Sequence, residues 1–462
     1  MKNDRVKTQH EFIKRYYFMT IPFLTVKMTS AYKFYYLFES IPFFRVFFKP
    51  QKTTYRLCGL DVLRVKTDGS YLIDKSIAVK DKKSCDTVYI NIGEFALRDS
   101  QTGIGRVIRS FLRELFNLQE TLHLEIIPIY RKDGTYGYFY ARRYVEKNFP
   151  EFLTIHNEIE FSVGSHFVEG VVDTRGLKRN YYYLQELKEH GVILHLFLYD
   201  LIPYKYPAFC TKLMVEDFPV YLEMSTIFPH VICDSKSVGE DYVQWKKESR
   251  CDCKQVIDFC YLSGDFENKS ASHTEISHKY DDLLGKNFIL SVSTLEPRKG
   301  YVKAIKTLES LWQDGFEFNY YIIGRKGWNY EDIVGNIVTS KFYGKKLYWF
   351  CDVSDADLRR FYQSCQSVFI PSEAEGFGLS LAEAAYYNKS VIVNNLDVFR
   401  ELAPLNCYFL DLNDLQSAIK VIKKWYDDLK NDHEIKIDKS VFPSWEQSAR
   451  HFIQQVLTFR SN

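Results

Sequence analysis

The chain has 462 residues, 46% hydrophobic and 26% charged, with a formal net charge of +2. That length supports two or three domains, each able to bury its own core, and the near-neutral balance excludes the basic footprint of a nucleic-acid binder. No run reaches the ~18 apolar residues of a membrane-spanning helix; the longest near-apolar run, GVILHLFLYDLIP, is broken by His195 and Asp200.

Residues 1–83 hold 17 Lys/Arg against 7 Asp/Glu. Three segments in them, RYYFMTIPFLTVK, FYYLFESIPFFRVF and TYRLCGLDVLRVK, repeat one pattern. Aromatic residues, a short break and an alternating run ending in Val recur about every 20 residues, as stacked hairpins would. This predicts a small β-rich extension. It is either an accessory subdomain or a basic, aromatic surface for peripheral contact with an anionic membrane. The N-terminus lacks an apolar run followed by a small-residue cleavage site. The ten cysteines therefore read as reduced thiols of a cytoplasmic protein. Cys251, Cys253 and Cys260 are spaced too tightly for zinc, with no second pair following.

From Thr87 the pattern becomes α/β. TVYINIG predicts a strand, and TGIGRVIRSFLRELFN a helix with Val107, Ile108, Phe111, Leu112 and Leu115 on one face. HLEIIPIY, VILHLFLYD and HVICDS are further strands, alternating with helices over LKRNYYYLQELKEHG and SVGEDYVQWKK. After a polar linker at 263–286 the alternation restarts with NFILSVST and runs to SVIVNN. The expectation is two doubly wound, Rossmann-like domains at 84–265 and 286–440, facing a cleft. A final helix at 441–462 is expected to pack back toward the first domain. Ligands of such sheets sit at the carboxyl ends of the strands.

Two motifs fall at those ends. In SVSTLEPRKG, Arg298 and Lys299 follow a strand and open a helix. Free N–H groups and the helix dipole already attract anions there. The pair suits a diphosphate, or is an incidental pair of bases at a solvated helix start. In SEAEGFGLSLAEA, Gly376 and Gly378 let backbone approach a ligand closely, and a helix begins near Leu379. Glu375 and Glu383 flank that turn. Carboxylates beside a diphosphate repel it unless they bind hydroxyls. A ribose diol suits Glu383, which leaves Glu375 for a sugar. A Gly-rich turn with surface glutamates is the plainer reading.

EGFGLSLAE resembles the Glu-x7-Glu motif of retaining glycosyltransferases of family 4, which have the GT-B fold. LSVSTLEPRKGY is similar to that family's phosphate-binding segment, and YIIGRKGW, DVSDADLRRFYQSC and VFIPSEAEGFG to its next segments, in order. RDSQTGIGRVIRSFLREL, LYDLIP and VICDSKSV resemble a bacterial subgroup that builds surface polysaccharides, including lipopolysaccharide. The resemblance spans residues 87–460. It implies that Arg298 and Lys299 neutralise the diphosphate of a nucleotide-sugar donor. It also implies that Glu375 lies by the transferred sugar, that Gly376, Phe377, Gly378 and Leu379 present backbone to it, and that Glu383 holds the ribose. Gly103, Ile104, Gly105 and Arg106 close over the donor from the first domain, and Thr294, Gly324 and Val353 complete its site. Asp200 faces a glycan or lipid-linked glycan acceptor. The implied reaction is metal-independent transfer of a hexose with retention, with mannose as the sugar from the similarity of GRKGW to mannosyltransferase segments.

Ser293 or Thr294 stands where many relatives have a Gly. Family members can carry a catalytic His, but His195 falls inside a strand and reads as a core histidine. Asp355 and Asp357 follow Ser354 at a helix start and read as a capping box, not a metal pair. The rival readings are a nucleotide-sugar epimerase of the same fold and a non-catalytic sugar-nucleotide-binding assembly factor.

Overall fold

A computed structural model describes residues 80, 85–97, 103–132, 137–154, 159–265 and 278–459, and the backbone of seven strands between residues 3 and 65. Those strands, Asn3–Thr8 to Leu60–Val65, pair consecutively in one antiparallel sheet. Their side chains, residues 66–79 and half of the predicted linker (266–277) lie outside the described residues. The membrane-facing bases and aromatics expected there lie outside with them.

The first α/β sheet runs in the spatial order Phe139–Tyr140, Leu124–Tyr130, Asp86–Asn91, His166–Glu169, Ile193–Leu198, His230–Cys233, Val256–Phe259. Every neighbour pair is parallel except the first. The second sheet runs Leu347–Phe350, Asn319–Ile323, Phe288–Val292, Ser367–Ile370, Ser390–Asn394, Tyr408–Leu410, all parallel. In each, the chain enters at a central strand, winds outward, then returns and winds the other way. The switch point beside that strand opens a crevice at the carboxyl ends. Sequence reading missed His166–Glu169 and Val256–Phe259. Each is four residues long with a charged residue inside or at its end, too short for a period-2 signal.

The Gly103–Leu122 helix buries Val107, Ile108, Phe111, Leu112 and Leu115, the face its periodicity predicts. The final helix, Trp445–Thr458, starts at a capping box of Ser444 and Gln447. It lies on the first domain, where Phe111 meets Trp445 edge-on at 5.5 Å and Phe452 at 5.4 Å. Such aromatic pairs contribute about 0.5–1.5 kcal/mol each beyond their burial.

His195 is fully buried in its strand, one of three linked imidazoles. Its Nε2 lies 3.0 Å from Nδ1 of His166, and its Nδ1 lies 2.8 Å from Nδ1 of His230. Nε2 of His230 reaches Asp258 at 3.1 Å. One proton per ring satisfies all three bonds if each ring donates toward Asp258. A second proton on His195 would break that pattern. Burial, then the neighbouring imidazoles, hold His195 well below its usual range, and burial lowers His230. A base whose folded pKa is depressed adds stability above its unfolded pKa, which is lost as pH falls below it. The urea midpoint should therefore decline as pH falls from about 7 toward 5, and His195→Gln should flatten that decline. An equal slope in both proteins would contradict the assignment.

Candidate active site

Phe288–Val292 and Ser367–Ile370 are neighbours at the second sheet's switch point. The first leads to the turn Pro297–Lys299 and the second to the loop ending at Gly378. Gly300 joins them closely. Its φ is +67°, and a Cβ there would lie 2.0 Å from the Pro371 carbonyl oxygen. Arg298 and Lys299 are thereby held under Glu375.

All three side chains are in contact. Lys299 Nζ donates to Glu375 Oε1 at 2.6 Å and Arg298 donates to Oε2 at 3.1 Å. Ser372 Oγ also donates to Oε1, at 2.7 Å. Arg298 further binds Glu296 at 2.9 Å and the Ala374 carbonyl at 3.3 Å. Burial pushes the Glu375 carboxyl up, but Lys299, then Arg298, with hydrogen bonds from Lys299 and Ser372, outweigh it and hold it at about 2. Burial and Arg298 lower Lys299 despite Glu375. The sequence reading gave the cations to a diphosphate and the glutamate to a sugar. In the structure they neutralise one another.

The glycines of the turn also differ from expectation. A Cβ on Gly376 would lie 1.9 Å from the Tyr199 carbonyl oxygen and 3.1 Å from Asp200 Cβ. The close approach is to the first domain. Gly378 has φ +89° before the Leu379–Tyr386 helix, and its Cβ would meet Phe399 at 2.5 Å. Phe377 is buried near Tyr261 and Phe442.

The first domain supplies the facing wall. Asp200 follows Ile193–Leu198, and its Oδ1 accepts from the Ile202 amide at 2.9 Å. Burial raises its carboxyl against the pull of Arg298. The Gly103–Leu122 helix begins at the seam, where a Cβ on Gly103 would stand 3.3 Å from Leu379. Ile104 is exposed and Gly105 buried on its first turn. Arg106 crosses the seam to Glu383 Oε1 at 2.7 Å. Tyr362 donates to the other oxygen. Glu383 is thus buried and doubly bound, and burial raises its carboxyl against Arg106 and Tyr362.

The remaining candidates divide. Thr294 Oγ1 donates to Glu296 at 2.7 Å, which joins it to the Arg298 cluster. Gly324 passes so close to Ser293 that a Cβ would lie 1.8 Å from its carbonyl oxygen. Val353, beyond the outermost strand Leu347–Phe350, packs on the apolar core. Ser354 caps the Asp355–Ser364 helix, accepting from the Asp357 amide at 3.1 Å and donating to its carboxylate at 2.8 Å.

Sequence reasoning missed four groups here. Ser235 donates to the Gly376 carbonyl at 2.8 Å. Glu401, from the second domain, accepts the Lys236 and Ser237 amides at 2.8 Å each, capping a first-domain helix. Asp234 is buried, and its Oδ1 has no hydrogen-bond partner among the described residues. Burial raises Asp234 strongly, with Asp200, Glu401 and Glu375 adding to it. Tyr362 holds Glu383. VICDSKSV marked a strand end and helix start, but a partner more than 140 positions away leaves no local signal.

Two Rossmann-like domains joined by a linker, with the carboxyl ends of their sheets in contact, define the GT-B fold. Solved structures agree on it. One is trehalose-6-phosphate from E. coli bound with UDP-2-fluoro glucose. It superposes with a TM-score of 0.54 at 9% identity over 81% of this chain and 100% of that one. Sucrose-phosphate synthase from Thermosynechococcus elongatus does so with 0.51 at 11% identity, over 80% and 95%. Residues 273–438, which contain the second domain, match the model of the family described as glycosyl transferases group 1. The serotype-specific mannosyltransferase WbdA of Escherichia coli is 26% identical over 385 residues, 81% of this chain and 45% of that protein. The O-antigen chain mannosyltransferase RfbU of Salmonella typhimurium is 28% identical over 186 residues, 37% of this chain and 52% of RfbU. The chain spans about half the length of these curated relatives. No described helix is long and apolar enough to cross a membrane.

Proposed function

We propose that the chain is a glycosyltransferase that moves a hexose, mannose as the first candidate, from a nucleotide diphosphate sugar to a growing bacterial surface glycan. The observation that carries this reading is the largely buried Arg298–Lys299–Glu375 cluster at the switch point, facing Asp200 across the seam. The names of WbdA and RfbU favour mannose. Transfer breaks the bond between the anomeric carbon and the β-phosphate oxygen. Arg298 and Lys299 stabilise the charge that develops on that oxygen, in a site where low dielectric strengthens each interaction. Glu375, no longer their partner, accepts hydroxyls of the sugar. Asp200 orients the acceptor hydroxyl, whose proton leaves with the phosphate oxygen as the new glycosidic bond forms on the same face. Two fixed cations supply the charge a divalent metal supplies elsewhere, so the reaction needs none.

The full chain incubated with GDP-mannose and a mannan oligosaccharide should release GDP only when acceptor is present. The rate should be unchanged by EDTA, and the product should keep the donor's anomeric configuration. Acceptor-independent conversion of the sugar would instead identify an epimerase, and binding without turnover an assembly factor.

A further inference from the structure

We propose that Arg106 is a partner-exchange residue. In the structure its guanidinium binds Glu383 across the domain seam, and a nucleoside diphosphate shifts it from that carboxylate to a diphosphate oxygen. The inference rests on the reading of Glu383 as the ribose-binding residue.

Both oxygens of Glu383 are covered by partners. Oε1 is 2.7 Å from Arg106 Nη1, and Oε2 accepts from Tyr362. Each oxygen keeps a free lone pair, but Glu383 is only 3% exposed, so a ribose diol reaches the carboxylate only if one of these partners moves aside. The two present partners are not equivalent. Tyr362 is fully buried in the second domain, on the Asp355–Ser364 helix, so it stays with Glu383 in any relative position of the domains. Arg106 comes from the first domain and is the partner that domain motion removes.

Where the guanidinium goes follows from its surroundings. Arg106 lies in the first turn of the Gly103–Leu122 helix, and that helix start abuts Leu379. Leu379 in turn follows directly on the turn that holds Glu375 over Arg298 and Lys299. Neither helix has an acidic residue in its first turn. Arg106, its side chain only 20% exposed, would without an anion be a poorly compensated charge between two electropositive helix ends. Glu383 supplies that anion in the structure, and burial opposes charge on both partners. A diphosphate accepted by Arg298 and Lys299 would lie within the same turn and would relieve Glu383 of the role. Guanidinium geometry matches two phosphate oxygens. The exchange conserves ion pairs, carboxylate–guanidinium for phosphate–guanidinium, while Glu383 gains the diol.

The test is a pair of titrations. GDP and guanosine, and UDP and uridine, are titrated into the wild type and Arg106→Gln. Nucleoside affinity should rise by about threefold or more in the variant, because Glu383 has no guanidinium to release. Diphosphate affinity should fall by about tenfold or more, the loss expected for one charged hydrogen-bonded pair. Opposite signs distinguish exchange from a purely structural role, which moves both ligands the same way and overturns the proposal. No change in either ligand overturns it as well. Should Arg106→Gln fail to fold, a structure of the wild type with GDP or UDP bound decides. Arg106 on a diphosphate oxygen and off Glu383 supports the exchange, and Arg106 still on Glu383 overturns it. A wild type that binds neither diphosphate overturns the functional reading and this proposal together, whereas diphosphate binding without the change of sign overturns only the exchange.

Discussion

Replacing Gly376 by alanine should lower turnover by about 100-fold or more, the loss that follows from misplacing reacting groups by about 1 Å, while the unfolding midpoint changes little. The added Cβ would sit 1.9 Å from the Tyr199 carbonyl oxygen, far inside contact distance. Gly376 is not among the glycines with positive φ, so alanine is tolerated by the local backbone. The clash lies between the domains, and they can relieve it by separating. Separation removes the Ser235–Gly376 hydrogen bond and carries Asp200 away from Glu375. The apolar clusters that lie wholly within one domain stay packed, which limits the loss of stability. Steady-state kinetics beside a denaturation curve would check this, and wild-type turnover in Gly376→Ala would show that the seam need not close.

Glu375→Gln should behave in the opposite way on stability. The variant keeps the shape of the loop but leaves Lys299 and Arg298 buried beside a neutral amide. Glu296 still pairs with Arg298, whereas Lys299 loses the partner at 2.6 Å. Breaking one side of a buried ion pair costs about 3 kcal/mol or more. The pH dependence gives the same order. A carboxyl held at about 2 against a usual 4.5 contributes about 3 kcal/mol. Because the folded pKa is the lower one, that stability is present above pH 4.5 and is lost as pH falls from there toward 2. Urea unfolding at pH 7 should show the loss, and the acid limb of the wild-type stability curve should be shallower in the variant. Turnover should fall as well, since the sugar loses its carboxylate.

The two winding sheets were legible because each long helix shows its buried face at helical spacing, as Val107, Ile108, Phe111, Leu112 and Leu115 do. The strand Phe288–Val292 is an unbroken apolar run apart from Ser291. The candidate site was legible as a set of residues but not as a set of bonds. Glu375 lies 77 positions from Arg298, and Glu383 lies 277 from Arg106. Nothing local to either motif says that the acid of one segment neutralises the base of another. The turn glycines show the same limit. A Gly-Phe-Gly sequence announces close approach, but whether ligand or protein approaches is decided by the position of Tyr199 in the other domain. Tyr362 and Ser235 carry no signal of their own in the sequence, because a tyrosine in an amphipathic helix and a serine at a helix start both have ordinary structural uses.

The central claim is that the Arg298–Lys299–Glu375 cluster receives a nucleoside diphosphate, with Glu375 standing in for the phosphate until it arrives. Calorimetric titration of GDP, or of UDP if it stabilises the wild type more, into the wild type and Glu375→Gln tests this directly. In the wild type the diphosphate must take both cations from a carboxylate. In the variant Lys299 is unpaired and Arg298 keeps its ion pair with Glu296, so the diphosphate should bind Glu375→Gln more tightly than the wild type, by about tenfold for one charged contact no longer displaced, even though turnover falls. Equal or weaker binding by the variant would contradict the account and place the diphosphate elsewhere.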